Sequence, residues 1–245
     1  MTLAGEAYLA MRSLPVGDFD DILKGQQALI LAPHQDDETI GCGGLIAQAS
    51  SRGRPPIVVF VTDGSGSHPL SRRYPKPSLS ELRQREARNA ASVLGLGADR
   101  LRFLALPDTA CPDAGPGFDA AVTTILDLIA ALPGCVIIAP WRYDQHCDHV
   151  AVHKMAVSAA AISGARHLSY PVWGWTLDPR HNLGAVPLTG WRLDVGRLRG
   201  LKLRALAEHA SQTTDLIDDD PTGFRLTPTM VATIMPDHET YLDNP

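Results

Sequence analysis

Residues 28–38 read ALILAPHQDDE, an apolar run of strand length that breaks at Pro33 into one histidine and three acids. An unbroken apolar run bounded by proline suits a strand buried on both faces better than one with a solvated side. The chemistry that follows is of another kind. His34, Asp36, Asp37 and Glu38 crowd ionisable groups into five positions, a costly arrangement unless something positive sits among them. A divalent cation would relieve the repulsion, and imidazole with carboxylate, leaving room for water, is a donor set suited to catalytic zinc. Asp36 and Asp37 leave the strand in different directions, so one can hold an ion while the other faces its water. The bland alternative is an acidic first helical turn complementing the helix dipole.

Outward from this stretch the pattern repeats. PIVVFVTDG (56–64), RLRFLAL (100–106) and CVIIAP (135–140) read as further buried strands, with helix-length segments near 40–52, 78–95, 117–132 and 146–163. Strand–helix alternation predicts an α/β fold of the Rossmann-like class: a mostly parallel sheet with helices on both faces. In such sheets sites form beyond the carboxyl ends of the strands. The polar residues obey that rule, since His34 to Asp37, Thr62-Asp63-Gly64, Pro107-Asp108 and Asp144 to His149 each follow a strand. Residues 65–78, rich in Ser, Pro and basic side chains, read as a loop and a candidate lid. After about 165 the pattern is less regular: 167–175 and 187–195 resemble strands, 198–212 a helix, and the stretch from Asp215 has no clear assignment. Residues 1–245 are taken as one domain, a length that one core can serve.

The last strand leads into the second cluster, Asp144-Gln-His146-Cys-Asp148-His149, with His153 beyond. His146 and His149 are three apart and His149 and His153 four apart, so on a helix either pair shares a face. Two such clusters at strand ends argue for a metal site more strongly than either one alone.

A formal charge of -5 and the lack of a basic run count against a nucleic-acid partner. No window reaches the roughly 20 apolar residues of a membrane span. The first residues have no signal-like pattern, so the expected location is cytoplasmic. Cys42, Cys111, Cys135 and Cys147 form no C-x-x-C pair, and reduced thiols are expected, Cys135 as a small core residue. His68, His167, His181 and His238 stand alone and are expected at the surface or in loops. Among the tryptophans, Trp141 lies nearest the second cluster.

His34-x-Asp36-Asp37-Glu38 and Asp144-x-His146-x-Asp148-His149 resemble the two signatures of the PIG-L/LmbE family of metal-dependent de-N-acetylases. Thr62-Asp63-Gly64, Arg83-x-x-Glu86, Leu94-Gly95, Leu106-Pro107-Asp108 and the pattern of Lys202, His209, Ser211 and Gln212 extend the resemblance. It implies removal of an N-acetyl group from an amino sugar or its conjugate. His34, Asp37 and His149 would hold Zn2+, or another divalent transition metal such as iron, cobalt or nickel. Asp36 would be the general base, His146 the oxyanion donor, and Asp148 the group that orients and charges His146. Arg83 and Asp108 would contact sugar hydroxyls, although an Arg on an amphipathic helix more often faces solvent. Gln35 and Cys147 stand where the family has proline, and Asp144 where some members have a tyrosine; Tyr143, one residue away, could substitute only if the loop differs.

Other readings of the same letters are a metal-dependent amidase or acyl hydrolase for a larger conjugate, a binding protein without catalysis, and a nucleotide-binding module. The last is disfavoured, because Gly41, Gly43 and Gly44 do not make G-x-G-x-x-G and acids stand where phosphate would lie. The expected partner is a small amino-sugar substrate, and the sequence is compatible with a homo-oligomer.

Overall fold

The computed structural model describes residues 1–243. In chain order its elements are α1 (Ala4–Ser13), β1 (Val16–Gly17), α2 (Phe19–Leu23), β2 (Ala28–Ala32), α3 (Asp37–Ser51), β3 (Ile57–Thr62), α4 (Lys76–Val93), β4 (Leu101–Leu106) and α5 (Pro116–Ala131). There follow β5 (Val136–Pro140), α6 (Cys147–Ser163), β6 (Arg166–Tyr170), β7 (Gly190–Asp194), α7 (Arg199–Ala207), α8 (Ala210–Thr213), α9 (Pro228–Ile234) and β8 (His238–Asp243).

The strands form one eight-stranded sheet in the order β1-β7-β8-β6-β5-β2-β3-β4. Pairs from β6 through β4 run parallel, while β8 enters antiparallel between β6 and β7. The fold is therefore α/β, a mostly parallel mixed sheet with helices around it. Side-chain alternation along β2 shows why its apolar run is continuous. Ala28, Ile30 and Ala32 pack into a core shared with α1, α3, α4 and α7, whereas Leu29 and Leu31 point into a second core with α5 and α6. Each face of the strand thus buries apolar surface.

Glycine has a steric reason at two positions near the site. A Cβ on Gly41 would overlap the ring of Tyr170, whose hydroxyl donates to Leu31 O at 3.0 Å. Gly64 has φ +69°, and a side chain there would meet Gln35. Among the described residues no helix is long and apolar enough to cross a membrane.

Several expectations need correction. The strand expected over 167–175 ends at Tyr170, because Pro171 follows and a 3-10 turn spans Trp173–Thr176. The helix expected over 198–212 is interrupted at Glu208 and His209, which separate α7 from α8. The stretch beyond Asp215 contributes α9 and β8, and residues 1–27 contribute α1, β1 and α2. His167 lies buried on β6 instead of at the surface or in a loop, whereas His68 is in the 65–78 loop as expected but is buried there, with Gly223 packed on its ring. Trp141 is wholly buried in the core.

The 65–78 loop is not a free lid. Leu70 N donates to Asp220 Oδ2 at 2.7 Å, the Ser71 hydroxyl to Asp219 Oδ1 at 2.7 Å, and the backbones of Arg72 and Arg73 to Asp219 Oδ2. Arg73 also pairs with Asp218.

Candidate active site

The turn after β2 sets the site. Pro33 O accepts both the Thr62 amide (3.0 Å) and the Thr62 hydroxyl (2.8 Å), which ties the end of β2 to the end of β3. Asp36 sits at φ 146°, a conformation that L-residues rarely adopt, and is held there by its amide donating to Glu38 Oε2 at 3.0 Å. Asp37 opens α3 and accepts the His34 amide at 2.9 Å.

Asp37 Oδ2 lies 3.2 Å from Nδ1 of His34 and 3.2 Å from Nε2 of His149. All three residues are buried, and their donor atoms lie within 4.8 Å of one another. His149 Nε2 makes no hydrogen bond despite its burial. A buried imidazole nitrogen without a hydrogen-bond partner, aimed at a carboxylate oxygen, is a donor available to a cation. Two N or O ligands each about 2.05 Å from a tetrahedral ion stand roughly 3.3 Å apart, close to the separations here. The donor set therefore fits a divalent transition metal. His34, His146 and Asp148 form a second close group. It is the poorer one, because His146 is partly exposed and the Asp148 carboxylate is already occupied.

Both imidazoles of the first group are oriented by carboxylates on the far ring nitrogen. His149 Nδ1 lies 2.9 Å from Asp144 Oδ2, and His34 Nε2 lies 3.0 Å from Asp148 Oδ2 and 3.2 Å from Asp108 Oδ1. Such partners fix ring orientation and raise ligand basicity. Burial pulls both histidines down, but the surrounding carboxylates outweigh it: His34 ends well above its ordinary range and His149 is pushed up to about 9. Burial raises Asp37, and His149 and His34 more than reverse this, leaving it well below the usual carboxylate value.

Asp148 departs from its expected role of orienting His146. Its carboxylate binds His34 and the amides of Thr109 (2.8 Å) and Cys111 (3.0 Å), and approaches His146 Nδ1 only to 3.9 Å. His146 instead caps α6, its Nδ1 accepting the Asp148 amide at 3.2 Å. That bond places the ring proton of the neutral form on Nε2. Burial, with His34 and His149 nearby, keeps His146 below its ordinary value and so favours the neutral ring.

Asp36 faces the cleft beside Arg83, whose Nη2 lies 3.5 Å from Asp36 Oδ2. Burial raises the Asp36 carboxyl; Arg83 opposes and Asp37 reinforces the rise, and the group is pushed up to about 6. Arg83 is not on a solvated face. It is buried, donating to Gln35 O at 2.7 Å and Gly64 O at 3.1 Å. Asp108 borders the same cleft and accepts the Gly66 amide at 2.7 Å. Burial raises its carboxyl, but the His34 bond and charge hold it below the usual range.

The remaining expectations sort readily. Tyr143 does not replace the absent tyrosine, since its hydroxyl donates to Leu183 O. Gln35, where the family has proline, donates to Thr62 O at 3.1 Å. Cys147 is exposed and belongs to neither close group. His153 Nδ1 donates to Pro140 O at 3.0 Å, and the residue lines a separate depression with Arg142 and Lys154. Lys202 is fully buried against Glu239 and Ile40 O, His209 lies 3.5 Å from Glu38, and Ser211 donates twice to Glu86. Sequence reasoning missed the Asp144 bond to His149, and it missed Phe224, which lines the cleft beside Trp173. Phe224 gave no signal, being one apolar residue in a Pro- and Asp-rich stretch.

The chain is similar to known proteins over most of its length. The chain is 28% identical over 209 residues to the diacetylchitobiose deacetylase of Thermococcus kodakarensis, covering 79% of this chain and 72% of that one. It is 28% identical over 245 residues to the 1D-myo-inositol 2-acetamido-2-deoxy-alpha-D-glucopyranoside deacetylase of Rhodococcus erythropolis, covering 77% and 82%. The solved N,N'-diacetylchitobiose deacetylase of Pyrococcus horikoshii superposes with a TM-score of 0.67 at 22% identity, over 96% of this chain and 91% of that one, which shows the shared fold. The family described as PIG-L, GlcNAc-PI de-N-acetylase, matches residues 29–160, more than half of the chain and a span that holds both clusters. The protein belongs to the PIG-L family.

Proposed function

We propose that this protein is a metal-dependent N-deacetylase that frees the amine of an N-acetylated amino sugar or its conjugate, with His34, Asp37 and His149 holding Zn2+. The observation that carries this reading is the buried, unpartnered Nε2 of His149 facing the Asp37 oxygen that His34 also approaches. An ion held there would polarise the acyl carbonyl and acidify the attacking water.

The chain's own residues supply the rest. Asp36, kept at its angle by Glu38 and by Arg83, takes the proton of the attacking water and returns it to the departing amine. His146 donates its Nε2 proton to the acyl oxygen as negative charge develops, with its tautomer set by the Asp148 amide. Asp148 and Asp108 orient His34, and Asp144 orients His149. Arg83 and Asp108, at the cleft wall, meet the hydroxyls of the sugar. These groups stand at the ends of β2, β4 and β5 and, for Arg83, on α4.

The test is acetate release by metal-replete protein over a panel of N-acetyl amino sugars and their conjugates, with metal content measured on the same sample. Acetate from at least one sugar and about one ion per chain is the expected result. A protein that binds no divalent metal, or that releases no acetate, defeats the reading.

A further inference from the structure

The cleft above the ligand cluster has a lining of two unlike kinds. Arg83, Asp108 and His146 are polar, while Trp173 and Phe224 add aromatic surface. The two rings meet edge to face, their centroids 5.7 Å apart at 83°. Each is only half-buried, so aromatic surface remains open to whatever enters.

This corner is rigidly mounted. The Trp173 amide donates at 3.2 Å to Asp144 Oδ2, the same oxygen that bonds His149, so the indole is in register with the proposed metal ligand. The Phe224 amide donates at 2.8 Å to Ser67 O, on the loop that Asp219 and Asp220 clamp. Gln212, also on the cleft, gives its amide nitrogen to the hydroxyls of Ser67 and Ser211, which leaves its oxygen as the acceptor it can offer a ligand.

An open aromatic face beside fixed polar groups suits a molecule with both a flat CH face and a rim of hydroxyls. A pyranose ring has that shape; a linear acylated amine does not. We propose that Trp173 and Phe224 form the acceptor subsite, an aromatic corner that takes the CH face of the pyranose bearing the N-acyl group. The corner then selects cyclic amino-sugar acceptors over acylated lysines or polyamines. This inference rests on the deacetylase reading, and its test is built to fail separately from it.

Methyl N-acetylglucosaminide is the probe, with binding followed by saturation-transfer NMR and turnover by acetate release. Trp173→Ala and Phe224→Ala are expected each to weaken binding and raise KM roughly tenfold, with kcat changed by less than about threefold. Alanine keeps the backbone amides that bond Asp144 and Ser67. Trp173→Phe should recover most of the loss and Trp173→Leu should not, because flatness rather than apolar bulk is required. Unchanged binding in both alanine variants, or full recovery by leucine, overturns the subsite. If wild type releases no acetate but binds the glycoside in a Trp173-dependent way, the deacetylase reading falls while the subsite stands. If wild type does not bind the glycoside, the subsite falls.

Discussion

Asp144 Oδ2 lies 2.9 Å from Nδ1 of His149, and the Asp144 carboxylate also accepts the amides of Val172, Trp173 and Gly174. A buried carboxylate so anchored can neither rotate nor leave, and it turns the other nitrogen of His149 toward Asp37. Asp144→Asn should therefore weaken affinity for the metal about 10- to 100-fold, as loss of an orienting partner typically does. Competition with a chelator of known affinity measures it, and wild-type affinity in the variant would remove Asp144 from the site. His149→Ala should lose both metal and turnover.

Asp36 lies beside the proposed ligands without being one of them. Asp36→Asn should keep the metal and lower kcat by about 100- to 10,000-fold, the usual range for a missing general base. Metal content and acetate release on one preparation separate the two effects. Wild-type turnover in the variant would defeat the assignment of the base.

The pH profile should carry the same signature. The base works only when ionised, and burial, opposed by Arg83, places the Asp36 carboxyl at about 6. A bound cation pulls in the same direction as Arg83, so kcat/KM should fall as pH drops through about 6 or lower. Arg83→Met removes a cation that favours the carboxylate, and the acid limb should move to higher pH. A limb that stays in place would show that Asp36 is not the titrating group.

His167 offers a test of stability away from the site. Burial, with His153 adjacent, lowers it to about 3 from 6.5. Between those values the unfolded chain takes up a proton that the folded protein refuses, so stability falls as pH decreases through this window. The slope contributed is at most about 1.4 kcal/mol per pH unit. Urea melts at pH 7 and pH 5 should show the wild type losing more stability than His167→Asn, and equal losses would contradict the assignment.

Lys202 and Glu239 form a fully buried ion pair at 2.6 Å between α7 and β8. Glu239 also accepts the amides of Gly44 and Leu45 and the Tyr241 hydroxyl, so the pair clamps α3 to the antiparallel part of the sheet. Lys202→Met leaves that carboxylate buried without its cation and should cost about 3–5 kcal/mol in unfolding free energy. Adding Glu239→Gln should recover part of it.

Much of this was legible because the relevant forces are local. Continuous apolar runs at 28–33, 56–64, 100–106 and 135–140 reported strands covered on both faces, and observed boundaries fall within about two residues of them. The helices between those strands were as plain. Residues 167–175 were harder, because an apolar run that meets proline and then packs as a turn looks like a strand until its neighbours are known. β8 was invisible, since HETYLD becomes a strand only by pairing between β6 and β7.

By itself, then, the sequence determined the parallel core and the two clusters of His and Asp at its strand ends, because side-chain periodicity and the repulsion of crowded carboxylates act over a few residues. Only the tertiary structure decided which carboxylate serves which imidazole. Asp148 is next to His149 in the chain yet bonds His34, and Asp144 reaches back to His149. It also decided that Trp173 and Phe224 share one corner, since hydrogen-bond partners and ring contacts follow from distances in space and residues 51 positions apart in the chain carry no mark of being neighbours.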